Sequence, residues 1–454
     1  MKQKTMINDL TQGSVAKQLV LFTLPLAASN LLQMIYNLVD MIVIGQFVGS
    51  SGISAVSIGG NLMHIFMYIG IGFAGAGQII ISQLVGKQDR EGVNRAIGTM
   101  LTFLSVLALA CTAVSLLGRD LLLSWMNTPE EAWDQTRDYS VVCYWGMFFI
   151  FGYNAVSSIL RGMGDSTRPF IFVAAAAVIN LLLDLLFVAG FGWDAFGAAL
   201  ATVIGQGVSF IGSLVYLYIR RDQFGFDFRL RSFAVDKEKL LPLIKLGFPM
   251  ALQSMAIILS SLIVTSWINA YGLVASAVTG IGAKLRDTMS VVTNSLCTAT
   301  STMVGQNMGA GKTDRVKRTV WVSFGICMGA FVIYAAVFLL FPTQLFSIFD
   351  TDPEVLAWAP KYMWTLAITL LCSAMMSSFN GLINGIGFAS LAFAIGMLDG
   401  VVARVGLAIL LGRVFGMGIM GFWLGSALAG LFTAIPGMAY YLSGAWKKRK
   451  LVVN

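Results

Sequence analysis

"ISQLVGKQDREGVNRAI" occupies residues 81–97 and "VGQNMGAGKTDRVKRTV" occupies residues 304–320. Laid over each other at a shift of about 223 residues, they pair Gln83 with Gln306, Gly86 with Gly309 and Arg95 with Arg318. The shift holds elsewhere. "LSWMNTPEE" (123–131) lies over "FSIFDTDPEV" (346–355) with one insertion, and "RGMG" (161–164) lies over "NGIG" (384–387). Pro25 falls beside Pro249 in the same register. The chain is one architecture written twice.

Composition says what is duplicated. Of the 454 residues, 57% are hydrophobic and only 11% are charged, against about 25% charged in soluble chains. That excludes an ordinary soluble domain. Apolar runs of about 20 residues or more mark twelve membrane helices: 16–45, 53–85, 94–118, 137–160, 169–190, 195–219, 243–270, 275–305, 319–341, 357–385, 390–412 and 417–445. Six per copy is an even number, so the second copy starts on the same side as the first. The repeats are therefore parallel, related about an axis along the membrane normal. The expected organisation is an all-α polytopic membrane protein of two six-helix bundles. Residues 1–219 form the first, 220–242 a basic linker and 243–454 the second.

Charge sets the orientation. With the N-terminus inside, the inner segments hold 23 Lys and Arg and the outer loops hold four: Arg119, Arg137, Lys361 and Arg413. The outer loops also hold nine acids. Both termini are expected to be cytoplasmic, and the net charge of +8 faces an anionic leaflet without any need for nucleic acid. The first apolar segment runs on through "NLLQMIYNLVDMIVIG", too long for a signal peptide, and reads as a membrane helix.

Several motifs invite a chemistry that their setting denies. "GIGFAGAG" (70–77) contains G-x-G-x-x-G, but inside an apolar span instead of between a strand and a helix. "GQNMGAGKT" (305–313) has five residues between its first Gly and the Gly-Lys, one more than a phosphate-binding loop takes. ATP is not expected to drive this chain. There is no G-x-S-x-G, and the single histidine, His64, forms no catalytic or metal cluster. Five scattered cysteines without a CxxC pair read as buried hydrophobes. Neither an enzyme nor a cofactor is expected.

Seven charges remain within the spans: Asp40, Asp184, Lys284, Arg286, Asp287, Asp399 and Arg404. Each is costly in a bilayer and marks a site by default. Lys284 and Asp287, at i and i+3, can pair on one helix face. Asp399 and Arg404, five apart, are expected to be a poor pair on one helix, with a partner across the bundle open to either. Asp40 and Asp184 have no base within a turn or two. Asn30, Gln33, Asn37 and Asp40 recur at spacings of 3, 4 and 3 and form one stripe, with Tyr36 one turn before Asp40. Asn180 and Asp184 share a face on the fifth helix. Two such stripes meeting inside a bundle make a switch. A desolvated carboxylate favours its neutral form, and a second carboxylate strengthens that preference. It takes up H⁺, or binds Na⁺ with amide and hydroxyl oxygens completing the shell. The second copy lacks this pair. Val264 and Leu407 fall near the equivalent positions, and a stripe without acids, Ser373, Ser377, Asn380 and Asn384, is expected to help line a substrate path.

The opening "DLTQGSVAKQLVLFTLPLAASNLLQMIYNLVDMIVIG", the paired "QLVGKQDREGVNRAI" and "GQNMGAGKTDRVKRTV", and "LRGMGDSTRP" together resemble the multidrug and toxic compound extrusion (MATE) family over nearly the whole chain. The resemblance implies two six-helix lobes in a V, exporting drugs and other amphipathic, often cationic, small molecules in exchange for H⁺ or Na⁺. In the branch with its cation site in the N-terminal lobe, the motif residues match Asp40, Asn180, Asp184 and Thr202, which would also hold Na⁺. Tyr139 and Pro25 match positions near that site, with Pro25 as a hinge. The acids that another branch carries on helices 7 and 10 are missing. A multi-pass protein of the cell membrane, acting as a monomer, is expected. The alternatives are a flippase of lipid-linked substrates, disfavoured by twelve helices and few interior bases, and a membrane scaffold without transport.

Overall fold

In a computed structural model, residues 8–224 and 226–453 are described, and among them every regular element is helical. Twelve long helices follow the expected spans. They are α1 (Val15–Phe47), α2 (Ser50–Lys87), α3 (Arg90–Leu117), α4 (Glu130–Gly162), α5 (Thr167–Gly190) and α6 (Asp194–Ile219) in the first copy. The second copy has α7 (Lys237–Asn269), α8 (Leu273–Gly309), α9 (Thr313–Leu340), α10 (Pro353–Gly385), α11 (Ala389–Val414) and α12 (Ile419–Leu442). Eleven are long and apolar enough to cross a membrane. The twelfth, α8, is long enough but more polar. It carries Lys284, Arg286 and Asp287 and the run "TNSLCTATST" (293–302). Most of that run is buried, with Asn294 exposed, and its buried hydroxyls are bonded. Ser295 donates to Val291 O at 2.6 Å, and Thr300 reaches Ser323 of α9 at 2.8 Å, which meets Ser378 of α10 at 2.9 Å.

The repeat is recorded in contacts as well as letters. In the first copy α4 packs on α2, α3 and α6; in the second, α10 packs on α8, α9 and α12. Gly162 at the end of α4 brings its α-carbon against the Gln78 carbonyl of α2, where a β-carbon would sit at 2.8 Å. Gly385 at the end of α10 does the same against the Ser301 carbonyl of α8, at 2.6 Å. Both pairs are separated by the same 223 positions. Likewise Gly59 seats the ring of Tyr139, and Gly282 seats the ring of Tyr362. Small residues allow such approach where lipid supplies no hydrophobic drive between helices.

The chain divides into two compact units, and each has borrowed a segment. One holds Leu24–Ala251 with Asn8, Asp9 and Val453; the other holds Leu252–Val452 with Leu10–Thr23. The helices α1 and α7 change unit beside Pro25 and Pro249, the prolines inside them. A proline interrupts the helical hydrogen-bond ladder there, and Ser29 Oγ donates back to Pro25 O at 2.9 Å.

Within the second unit, Arg315 of α9 explains why residues 10–18 belong to it. Its guanidinium donates to the carbonyls of Leu10 (3.1 Å), Gln12 (3.1 Å) and Gly13 (2.8 Å), to Gln18 Oε1 (3.1 Å) and to Asn307 Oδ1 (3.1 Å). Gln306 Oε1 accepts from Leu10 N at 3.0 Å, and Lys312 Nζ reaches Thr11 O at 2.9 Å. Charged hydrogen bonds contribute about 1.5–3 kcal/mol each. Arg315→Ala should therefore release this segment, and limited proteolysis between residues 8 and 18 should speed up about tenfold or more. An unchanged cleavage rate would show that packing of α1, and not Arg315, holds it.

Two intramembrane pairings differ from the sequence expectation. Asp287 meets its neighbour Arg286 at 3.5 Å, while Lys284 is exposed, so the i, i+3 pair does not form. Asp399 and Arg404 do pair, at 3.0 Å. Residues 398–404 form a π-helical turn, in which i→i+5 bonding brings residues five apart onto one face. The five cysteines are all free, and four are buried.

Candidate functional site

The site is built by four helices of the first unit: α1, α5 and α6 carry its acids, amide and hydroxyl, and α4 adds Tyr153 to the cavity lining. The end of α1 is fixed by Val43 and Ile44, which pack with Val188 of α5 and Ala198 of α6. One turn earlier, Asp40 meets α5. Asp184 is the last α-helical residue before a π-helical turn, Leu185–Gly190. The carboxyl groups of Asp40 and Asp184 lie within hydrogen-bonding reach of each other. Asp184 is 1% exposed and Asn180, one turn below it, 4%. Asn180 Nδ2 donates to Thr202 Oγ1 of α6 at 3.4 Å.

The donor inventory is what sets this cluster apart. Asp40 Oδ1, both carboxyl oxygens of Asp184 and Asn180 Oδ1 are buried and receive no hydrogen bond from a donor. Two carboxylates in contact can only accept. An unmet buried acceptor is costly, and more so when charged. The chemistry that relieves the cluster is a proton shared between the carboxyls or a small cation held by the four oxygens. Three His, Cys, Asp or Glu side chains do not converge anywhere among the described residues, so a site for a tightly held transition metal is not what this cluster resembles.

Directly beneath lies a cavity of about 20 Å³, enough for one water-sized occupant. The polar residues Gln33, Tyr36, Tyr153, Asn180, Thr202, Gln206 and Ser209 line it together with Val173, Ala176, Ala177 and Gly205. Asp40 and Asp184 stand one helical turn from its lining residues Tyr36 and Asn180. Tyr139 of α4 is buried and within electrostatic range of Asp40 and Tyr36. Asn37 is exposed, and neither it nor Asn30 lines the cavity. At about 100° per residue, Gln33, Tyr36 and Asp40 span one narrow arc of α1, with Asn37 and Asn30 at its margin.

Three lining residues carry no signal in the charge pattern: Tyr153, Gln206 and Ser209. Thr202, Gln206 and Ser209 do recur at i, i+4 and i+7 along α6, a polar stripe readable in "TVIGQGVS". Tyr153 bonds Pro169 O at 3.0 Å and ties α4 to α5. In the second unit, Ser377 donates to Thr293 O at 2.6 Å and is 4% exposed, whereas Ser373 bonds back to Thr369 O at 2.9 Å. Asn380 and Asn384 are half-buried.

A duplicated bundle of membrane helices with paired carboxyl groups inside one copy is the architecture of a membrane transporter. The comparisons with known proteins agree. The MatE family model matches residues 25–186 and 249–399, one match per repeat. The probable multidrug resistance proteins YoeA and YpnP of Bacillus subtilis are 30% and 28% identical. The alignment with YoeA covers 97% of this chain and 96% of the relative; with YpnP it covers 98% of each. Among solved structures, a MOP superfamily transporter from Pyrococcus furiosus superposes with a TM-score of 0.91 at 22% identity, covering 98% of this chain and 100% of that one. An outward-facing multidrug resistance MATE family transporter gives 0.92 at 22% identity, covering 99% and 100%. The chain belongs to the MATE family of membrane transporters. The family and the two-lobed all-helical fold expected from the sequence are borne out.

Proposed function

We propose that this chain is a secondary antiporter. It exports amphipathic, often cationic, small molecules in exchange for H⁺ or Na⁺ entering from outside. The observation that carries the reading is the contact between Asp40 and Asp184, with four buried oxygens short of donors. A coupling ion that satisfies them changes the balance of forces around α1, and Pro25 gives that helix a joint. Thr202, Asn180 and Tyr139 complete the site's oxygen set. The multidrug names of YoeA and YpnP support the substrate class. The basic inner segments support cytoplasmic termini in the cell membrane, and one chain holds the whole site, as a monomer requires. The test is efflux of a lipophilic fluorescent cation from proteoliposomes under a pH gradient or a Na⁺ gradient, imposed separately. Flux indifferent to both gradients would end the proposal.

Thr202→Val distinguishes the two ions. It removes one oxygen from the Na⁺ shell and leaves the carboxyl pair intact. Na⁺-driven flux should fall about tenfold, the equivalent of about 1.4 kcal/mol, with pH-driven flux within about twofold of the parent. Equal losses under both gradients would mean that Thr202 acts on packing alone.

A further inference from the structure

Besides Asp165, which pairs with Arg168 near the start of α5, the described residues bury two aspartates, Asp184 in the first unit and Asp399 in the second, in opposite electrostatic circumstances. Asp184 receives no donor on either oxygen. Asp399 is fully satisfied. Its Oδ1 accepts from Arg404 Nη2 at 3.0 Å and its Oδ2 from Thr433 Oγ1 of α12 at 3.1 Å. The side chains of Asp399 and Arg404 are 3% and 15% exposed. Arg404 Nη1 reaches Ser426 at 3.4 Å, while its Nε is buried and meets no acceptor. The guanidinium is thus placed for Asp399 and not for its own complete satisfaction.

This arrangement is an addition to the repeat. The π-helical turn after Asp184 (Leu185–Gly190) has its counterpart at Leu410–Val414, close to the 223-residue shift. The π-helical turn Leu398–Arg404 has none, because the equivalent stretch of α5, near 175–181, is ordinary α-helix. In an α-helix, Asp399 and Arg404 would point about 140° apart; the extra turn aligns them. Gly400 seals the back of that turn, since a β-carbon there would stand 3.2 Å from the backbone of Ala256 and Ile257 on α7. The charged or titratable groups facing Asp399 are Arg404 on its own helix and the Cys372 thiol of α10, in electrostatic range. The α12 side presents Thr433, and the α7 side presents the helix backbone at Ala256 and Ile257.

A carboxylate buried at bilayer depth accepts a cation unless it is given one. We infer that Arg404 is a tethered cation that permanently occupies Asp399 and keeps the second unit from taking up a coupling ion. Arginine suits this role, because its guanidinium does not give up its charge in proteins. Only the Asp40–Asp184 pair then counts ions, so Arg404 sets the ion stoichiometry of transport. The inference rests on the antiport reading of the first unit.

Infrared difference spectroscopy of the full chain in liposomes, with pH and Na⁺ stepped separately, tests it. In the parent protein, the carboxyl bands that respond should vanish in Asp40→Asn/Asp184→Asn. Arg404→Gln should add one responding carboxyl band, and adding Asp399→Asn should remove it. No added band would overturn the inference and leave the pair as a packing clamp. Should Arg404→Gln not fold, the neutral double variant Asp399→Asn/Arg404→Gln decides by comparison with the parent. Difference spectra identical in the responding carboxyl bands support the tether, and a responding band missing from the double overturns it. Whether Asp40 and Asp184 bind the ion is read from their own bands, so failure of the antiport reading is seen separately.

Discussion

Asp40→Asn should abolish gradient-driven efflux while leaving the protein folded, and slightly more stable than the parent. The substitution keeps the shape of the side chain and turns one acceptor oxygen into a donor amide. That donor faces Asp184, whose two oxygens have none. Asp184 then holds a permanent donor in place of the coupling ion. A ligand can shift a conformational equilibrium only by its differential affinity for the two states. With that difference removed, the imposed gradient has nothing to act on. A loss of about 3 kcal/mol of coupling corresponds to roughly a hundredfold in flux, which is the smallest effect expected. The stability gain comes from one new buried hydrogen bond, about 1 kcal/mol, and from removing a like charge. Thermal unfolding in detergent and efflux from proteoliposomes check both halves. Efflux near the parent rate would remove Asp40 from the coupling mechanism. A well-folded but uncoupled protein is the outcome that a purely structural aspartate does not give.

Much of this was readable in the chain because bilayer physics is severe. A helix must be apolar for about 20 residues, so the spans stand out, and α8 escapes the apolar criterion only because its hydroxyls are bonded to neighbours. A carboxylate in such a span is conspicuous, so Asp40 and Asp184 stand out in the sequence, with Asn180 one turn from Asp184. Their meeting does not. It depends on Val43 and Ile44 fixing the end of α1 against Val188 and Ala198, and no local pattern records that. A spacing of five sets Asp399 and Arg404 about 140° apart at α-helical pitch, so their pairing is not legible in the sequence. The π-helical turn that unites them is set by α7 and α12 as much as by its own residues. The transfer of residues 10–23 into the second unit is equally nonlocal. Its agents, Arg315 and Gln306, sit in the very repeat motif that reveals the duplication, but their partner Leu10 lies 305 and 296 positions away.

The same repeat makes a second strong expectation. Gly162→Val and Gly385→Val should each prevent accumulation of folded protein, and to a similar degree. At Gly162 the new carbon meets the Gln78 carbonyl, and at Gly385 it meets the Ser301 carbonyl and the Val304 side chain. A backbone carbonyl within a helix cannot rotate aside as a side chain can, so α2 and α4, or α8 and α10, must separate along their length. Overpacking costs about 1–3 kcal/mol where neighbours can adjust, and more is expected where a rigid helix backbone is the obstacle. Gly162→Ala and Gly385→Ala should fold with lowered thermal midpoints. Gly60 and Gly280 provide the control, because nothing lies within 4 Å of a carbon added to either. Alanine there should be neutral or stabilising, since glycine costs up to about 1 kcal/mol in a helix interior. Size-exclusion profiles after stepwise heating read all six variants. If Gly162→Val runs like Gly60→Ala, the close approach of α2 and α4 is wrong. If only one of the paired valine variants fails, the two copies share their sequence pattern without sharing its packing. Loss at both positions, with both controls intact, means that one helix-pair geometry was duplicated and still bears the same constraint in each copy, even where the charges have diverged.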